Sequence, residues 1–123
     1  MMKIQYPVVV GSGSWGTALA VFLAKKCPQV HLVGRDEKVA AAINLTHCNY
    51  RYLPNSSLPK NLVATTDLSL VSKADLLLFV VPTKATRSTA KKIVSLNIPE
   101  SAVILSCAKG IELESGKRMS QII

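Results

Sequence analysis

Three glycines in the stretch V-V-V-G-S-G-S-W-G-T-A-L-A constrain the fold of this chain more than any other feature. Gly11, Gly13 and Gly16 have the spacing G-x-G-x-x-G, and they lie between a valine-rich run and a segment with a helical pattern. In this context the first glycine permits a tight turn, the second leaves room for a diphosphate against the backbone, and the third lets helix and strand pack closely. The N–H groups that open the helix then face the phosphates. The motif therefore predicts a strand, a turn and a helix that together bind a dinucleotide.

Short apolar runs recur along the rest of the chain and predict strands. The predicted strands cover residues 8–10, 30–33, 62–65, 76–81 and 102–105. Continuous, valine-rich runs are typical of parallel strands buried on both faces, and helical patterns separate them. We therefore expect an α/β protein with a Rossmann-type, doubly wound, mainly parallel sheet and helices on both faces. One domain over residues 1–123 is expected.

The first helix is predicted to begin near Ser14 and to end before Pro28. Lys25 and Lys26 are expected in its last turn, where they would face the negative end of the helix dipole.

Four further segments are assigned from their local patterns. Asp36 is expected to cap a second helix, and a short helix should follow Asp67. A longer helix is predicted across residues 84–96. Residues 48–61 contain two prolines and no periodicity, so they are predicted to form a long surface loop.

The chain is strongly basic, with 15 Lys and Arg against 7 Asp and Glu and a net charge of +8. Such a charge suits nucleic acid, an anionic membrane surface or a phosphorylated small molecule. The cations are scattered singly or in pairs, which argues against a nucleic-acid platform. No apolar stretch is long enough to cross a bilayer, and the amino terminus does not resemble a secretory signal. Phosphorylated metabolites in the cytoplasm are therefore the expected partners.

The histidines and cysteines do not predict a metal site. The cysteines number three and form no C-x-x-C pair, and neither His31 nor His47 has an acid or a cysteine at metal-ligand spacing. We expect no metal and no covalent catalysis.

Two neighbouring residues at the end of the second predicted strand point to different cofactors. Asp36 lies 20 residues after Gly16, where an acid grips the ribose 2′-OH of NAD, whereas Arg35 could clamp the 2′-phosphate of NADP. Asp36 can alternatively serve as a helix cap, and Arg35 as a solvated surface charge. We favour Arg35 and NADP, with use of both cofactors left open.

Two more residues are candidates for the site, each with a structural alternative. Trp15 would lie beside the phosphates or the nicotinamide half, or its ring would simply cover the start of the helix. Lys109 follows the fifth predicted strand, on the carboxyl edge where open α/β sheets bind ligands, although a lysine before a glycine is often only a solvated charge.

Several segments together resemble the amino-terminal part of the bacterial NAD(P)-dependent glycerol-3-phosphate dehydrogenases. They are G-S-G-S-W-G-T-A-L-A at 11–20, Y-L-P-N and L-P-K-N-L within 52–62, A-T-T-D-L at 64–68, V-V-P-T-K-A at 80–85 and K-G-I-E at 109–112. The resemblance runs along nearly the whole chain.

This resemblance implies a function and a set of site residues. The family's enzymes are cytoplasmic, commonly dimeric, and reduce dihydroxyacetone phosphate to sn-glycerol 3-phosphate for phospholipid synthesis. Ser14, Trp15, Arg35 and Tyr52 then resemble cofactor contacts, and Lys109 resembles the lysine that touches cofactor and substrate. The family's general acid/base lysine lies in a second, helical domain that these 123 residues lack. We therefore expect dinucleotide binding without turnover and assign no catalytic residue here.

Two other functions are compatible with the glycine motif. One is another two-domain dehydrogenase that acts on a hydroxy acid, and the other is a dinucleotide sensor without catalytic activity. A basic nucleic-acid module is a third alternative, and it predicts DNA affinity that falls steeply with salt.

Overall fold

A computed structural model describes residues 4–51, 57–80, 88–89, 91–92, 98 and 102–106 of the chain. Its strands and helices are β1 (Pro7–Val10), α1 (Ser14–Ala24), β2 (Val30–Val33), α2 (Glu37–Thr46), β3 (Leu62–Thr65), a 3₁₀ helix (Leu68–Lys73), β4 (Leu76–Phe79) and β5 (Val103–Ser106). Each predicted strand is present, with bounds within about two residues of those expected.

All five strands are parallel, and their order in the sheet is β3-β2-β1-β4-β5. The chain builds outward from β1 through β2 to β3 and then crosses back, so that β4 pairs on the other side of β1. The strand order therefore reverses at β1, and in open α/β sheets ligands bind at such a point, outside the carboxyl ends of the strands. This topology confirms the predicted Rossmann-type fold.

Alternate residues of the strands enter two separate hydrophobic clusters, one on each face of the sheet. Val9 and Leu32 pack with Ala20 of α1 and Ile43 of α2. On the opposite face, the residues that pack with Val71 of the 3₁₀ helix and Ala74 are Val8, Val10, Val33, Leu77 and Phe79. Helices therefore cover both faces, and the strands are apolar throughout because both of their sides are buried.

The predicted end of α1 is wrong by two residues. Ala24 is the last helical residue, so Lys25 is the C-cap and Lys26 lies beyond the helix instead of in its last turn. Pro28 lacks the N–H that would bond the carbonyl oxygen of Ala24, and the side chain of Asn61 supplies a donor instead. Its Nδ2 donates to the carbonyl oxygen of Ala24 at 2.7 Å and to that of Cys27 at 3.1 Å. These bonds satisfy carbonyls that lack helical partners.

The predicted cap at Asp36 is confirmed, and Asp67 caps the 3₁₀ helix in the same way. Asp36 precedes α2 and accepts a hydrogen bond from the backbone N–H of Lys38 at 2.9 Å. Asp67 accepts from the backbone N–H of Ser69 at 3.0 Å. A hydrogen bond with the Ser69 side chain, together with this backbone bond, holds the pKa of the Asp67 carboxyl below its usual range. Of the helix predicted over 84–96, only residues 88–89 and 91–92 are described, and they are helical.

The predicted surface loop over 48–61 is only partly at the surface. Residues 52–56 lie outside the described part of the chain, but Asn49 and Leu58 are buried. The backbone N–H of Leu58 donates to the carbonyl oxygen of His47 at 2.7 Å, which ties the two sides of the loop together. Neither burial is visible in the sequence, since the segment has no periodicity.

His31 is a buried residue of β2, and its ring stacks on that of Tyr6 with 4.5 Å between the centroids. Burial lowers the pKa of His31, so the imidazole is neutral near pH 7. Among the residues that the structure describes, none of the helices combines the length and the apolar character that a bilayer span requires.

Candidate functional site

A cavity of about 900 Å³ opens at the carboxyl ends of β1, β2 and β4. The turn after β1 forms one side of it and the end of β2 forms another. Its lining residues include Gly11, Ser12, Gly13, Ser14, Trp15, Gly16, Gly34, Arg35, Asp36, Arg51, Thr66, Val80, Thr89 and Lys92. The cavity thus lies where the strand order reverses, as the topology predicts.

The three glycines of the turn have the geometry that the motif predicts. Gly11 has φ 123°, a value that side chains disfavour, and its N–H donates to the carbonyl oxygen of Val33 at 2.8 Å. A Cβ at Gly16 would overlap the carbonyl oxygen of Gly11, so helix and strand approach too closely for a side chain. A Cβ at Gly13, by contrast, would meet no atom of the described residues within 4 Å apart from its chain neighbours. The space beside Gly13 is open to a ligand.

The start of α1 faces this space, and its N-cap residue is Gly13, which has no side chain to cap the helix. The first turn of α1 contains no acidic residue. The opening N–H groups of a helix carry partial positive charge and favour anions. Together with the open space beside Gly13, this geometry fits a diphosphate.

Ser14 and Trp15 follow at the mouth of the cavity, on the first turn of α1. Trp15 is 57% exposed, and it is the only tryptophan in the sequence. The indole therefore is not a packed cover of the helix start, because such a ring would be largely buried. Its position beside the cavity makes it a reporter of any ligand there.

The end of β2 contributes charged side chains instead of backbone. Arg35 is exposed and lines the cavity, whereas the side chain of Asp36 caps the start of α2. Arg51 Nη1 donates to Asp36 Oδ2 at 2.9 Å, an ion pair that the sequence analysis missed. The two residues are 15 positions apart, so no local pattern signals their contact.

Gly34 is another residue whose role the sequence analysis missed. A Cβ at Gly34 would overlap the side chain of Ser12, so the end of β2 and the turn after β1 approach each other closely. A glycine just before the two charged residues was the available signal, but it could not identify the neighbour.

A buried asparagine holds the turn from behind. Asn49 is fully buried, and its Nδ2 donates to the carbonyl oxygen of Ser12 at 3.1 Å and to Thr17 Oγ1 at 2.9 Å. The Thr17 hydroxyl donates in turn to the same carbonyl at 3.2 Å. These bonds connect the loop after α2 to the glycine turn across 37 residues. Sequence reasoning had placed Asn49 in a surface loop.

Two predicted site residues, Tyr52 and Lys109, lie outside the described residues. Within the described ranges, His, Cys, Asp and Glu do not gather in groups of three or more that could hold a metal ion. In the described part of the site, cationic side chains and the backbone of the glycine turn together line the cleft.

Comparison with known proteins also indicates a dinucleotide-dependent dehydrogenase family. A sequence-family model described as NAD-dependent glycerol-3-phosphate dehydrogenase N-terminus matches residues 7–123. A protein of Moorella thermoacetica named glycerol-3-phosphate dehydrogenase [NAD(P)+] is 43% identical over 116 residues, which are 94% of this chain and 34% of that protein. The protein of the same name from Neorickettsia sennetsu is 38% identical over 99% of this chain and 36% of its own length.

Solved structures agree. The crystal structure of glycerol-3-phosphate dehydrogenase from Coxiella burnetii superposes with a TM-score of 0.85 and 29% identity, over 96% of this chain and 36% of that one. The present chain therefore spans about a third of the length of the relatives it matches. Since the family model covers nearly all of its residues, the chain belongs to the family of the NAD-dependent glycerol-3-phosphate dehydrogenase N-terminus.

Proposed function

We propose that this chain is the NAD(P)-binding domain, over residues 1–123, of a glycerol-3-phosphate dehydrogenase. The complete enzyme would reduce dihydroxyacetone phosphate to sn-glycerol 3-phosphate for phospholipid synthesis. The observation that carries the proposal is the open space beside Gly13, the glycine at the N-cap of α1. The relatives' names supply the reaction, and the net charge of +8 suits two polyanionic ligands.

The residues of the cleft fit such a cofactor. Gly11, Gly13 and Gly16 would receive the diphosphate at the start of α1, with Ser14 and Trp15 beside it. Arg35 would lie at the adenosine end, which favours NADP over NAD. When bound, the nicotinamide supplies the hydride, and this chain contributes by holding and orienting it.

Two proposed contacts rest on the family resemblance. Tyr52 would add a cofactor contact, and Lys109 would touch both cofactor and substrate. The general acid/base lysine would come from the second domain of the full-length enzyme. The chain alone therefore binds dinucleotide without turning over substrate. The family resemblance also implies that the complete enzyme is a cytoplasmic homodimer.

The proposal is tested by titrating NADH and NADPH against the fluorescence of Trp15. We expect a saturable change with at least one of them, because the indole lines the cavity. A chain that is folded by circular dichroism but binds neither dinucleotide would contradict the proposal. Turnover of dihydroxyacetone phosphate by the purified 123 residues would contradict the expected lack of activity.

A further inference from the structure

Three charged side chains surround the β2 end of the cavity. Arg35 and Arg51 are exposed, Asp36 is half-buried, and all three line the same space. In dinucleotide-binding folds an acid at this strand end bonds the ribose 2′-OH of NAD. The same carboxylate repels a 2′-phosphate when its charge is not offset. The charge on Asp36 therefore affects how well this end of the cleft suits each cofactor.

Both oxygens of Asp36 already have partners. Oδ1 accepts the capping hydrogen bond from the N–H of Lys38 at 2.9 Å, and Oδ2 accepts from Arg51 Nη1 at 2.9 Å. The guanidinium offsets the negative charge at contact distance. Asp36 is thereby less able to repel a phosphate and less available to a ribose hydroxyl.

The position of Arg51 depends on tertiary contacts of the neighbouring residue Asn49 as well as on its own loop. Asn49, two residues earlier, is fully buried and bonded to Ser12 and Thr17 behind the glycine turn. This anchor fixes the start of the segment that carries the guanidinium, so the segment is held against the cleft.

We propose that Arg51 determines the preference of this site between NADP and NAD, and that it does so by neutralising Asp36. The proposal rests on the dinucleotide binding proposed above. Arg51 is thus a specificity-determining residue that acts through a neighbouring carboxylate, in addition to the direct role assigned to Arg35.

The test is a double-mutant cycle read by Trp15 fluorescence with NADPH and NADH at low ionic strength, where exposed charges are least screened. The variants are Arg51→Gln, Asp36→Asn and their combination. Asn at position 36 keeps the helix cap and removes the charge. Lys38→Gln is the matched control, because Lys38 is an exposed cation of the same helix start that does not line the cavity.

Arg51→Gln is expected to weaken NADPH binding about fivefold, the upper end for an exposed charge pair, because the carboxylate of Asp36 then repels the phosphate. NADH binding should change by less than about twofold, as should both affinities in Lys38→Gln. In the combined variant, NADPH affinity should recover, because the carboxylate that repelled the phosphate is gone.

Equal losses for both cofactors in Arg51→Gln, or a combined variant as weak for NADPH as Arg51→Gln alone, would overturn the inference. Neither result touches the proposed function, since the unmodified chain still binds. If the unmodified, folded chain binds neither dinucleotide, the proposed function fails and this inference fails with it.

Discussion

The two ends of the cleft differ in the groups that form their surfaces: backbone at one end and charged side chains at the other. At the glycine turn the binding surface is backbone, and what matters is where side chains are absent: beside Gly13 for space and at Gly16 for close packing. At the end of β2 the surface is made of charged side chains, of which Arg35 and Arg51 are exposed. At Gly16 the first end tolerates no side chain without a shift of the backbone, because the carbonyl oxygen of Gly11 lies there. The second can change charge without disturbing the core, so cofactor preference is adjustable there.

The same substitution at two glycines gives the largest contrast. Gly16→Ala places a methyl group where the carbonyl oxygen of Gly11 lies, so the backbone must shift. We expect a loss of about 3 kcal/mol in the free energy of unfolding, the upper part of the range for overpacking. Urea denaturation followed by circular dichroism measures it. A loss no larger than that of Gly13→Ala would break the comparison.

Gly13→Ala should instead affect binding. Its backbone is extended, with φ −72° and ψ −171°, and within the described part of the chain only its neighbours in sequence lie within 4 Å of the added methyl group. The fold should therefore persist, while the methyl group keeps a diphosphate from the backbone. The expected loss is about 2 kcal/mol in dinucleotide affinity, the value of a hydrogen bond to a charged group. Unchanged affinity for both NADH and NADPH would show that the diphosphate does not lie there.

Asn49→Ala asks whether the turn depends on its buried support. The substitution removes the donor to Ser12 and Thr17 in a fully buried site. We expect a loss of about 2 kcal/mol in the free energy of unfolding, within the range for buried groups left without a partner. Ser57→Ala, at an exposed position of the same loop, is the control and should change little. Similar effects of the two would mean that the buried bonds contribute nothing.

Arg35→Ala tests the adjustable end of the cleft. NADPH affinity should fall by about 1.5 kcal/mol, the lower end for a charged hydrogen bond because the side chain is exposed, and NADH affinity should hardly change. Fluorescence titration of Trp15 measures both. Equal losses for the two cofactors would reject a 2′-phosphate contact.

The smallest effect is expected from the cap of α2. Asp36→Ala removes the hydrogen bond to the N–H of Lys38 and should cost about 1 kcal/mol of stability, whereas Asp36→Asn should retain most of it. Thermal unfolding of the two variants separates the cap from the charge. Equal destabilisation would mean that the charge, and not the cap, supports the helix.

Some errors of the sequence analysis have a common physical origin. At the end of α1, the carbonyl oxygen of Ala24 accepts its hydrogen bond from Asn61, 37 residues away, and not from a further turn of helix. Asn49 was placed at the surface because its partners lie 32 and 37 residues away. In each case a side chain remote in sequence supplies the bond, and periodicity contains no information about it.

By itself, the sequence determined the sheet, the first turn and the aspartate cap of α2. These features depend on neighbouring residues: continuous apolar runs make buried strands, and an aspartate one residue before a helix can reach its first N–H groups. Only the tertiary structure decided that Arg51 pairs with Asp36, that Asn49 supports Ser12, and that Gly34 must lack a side chain. Those contacts arise when the sheet brings distant loops to one edge, so no local pattern could reveal them.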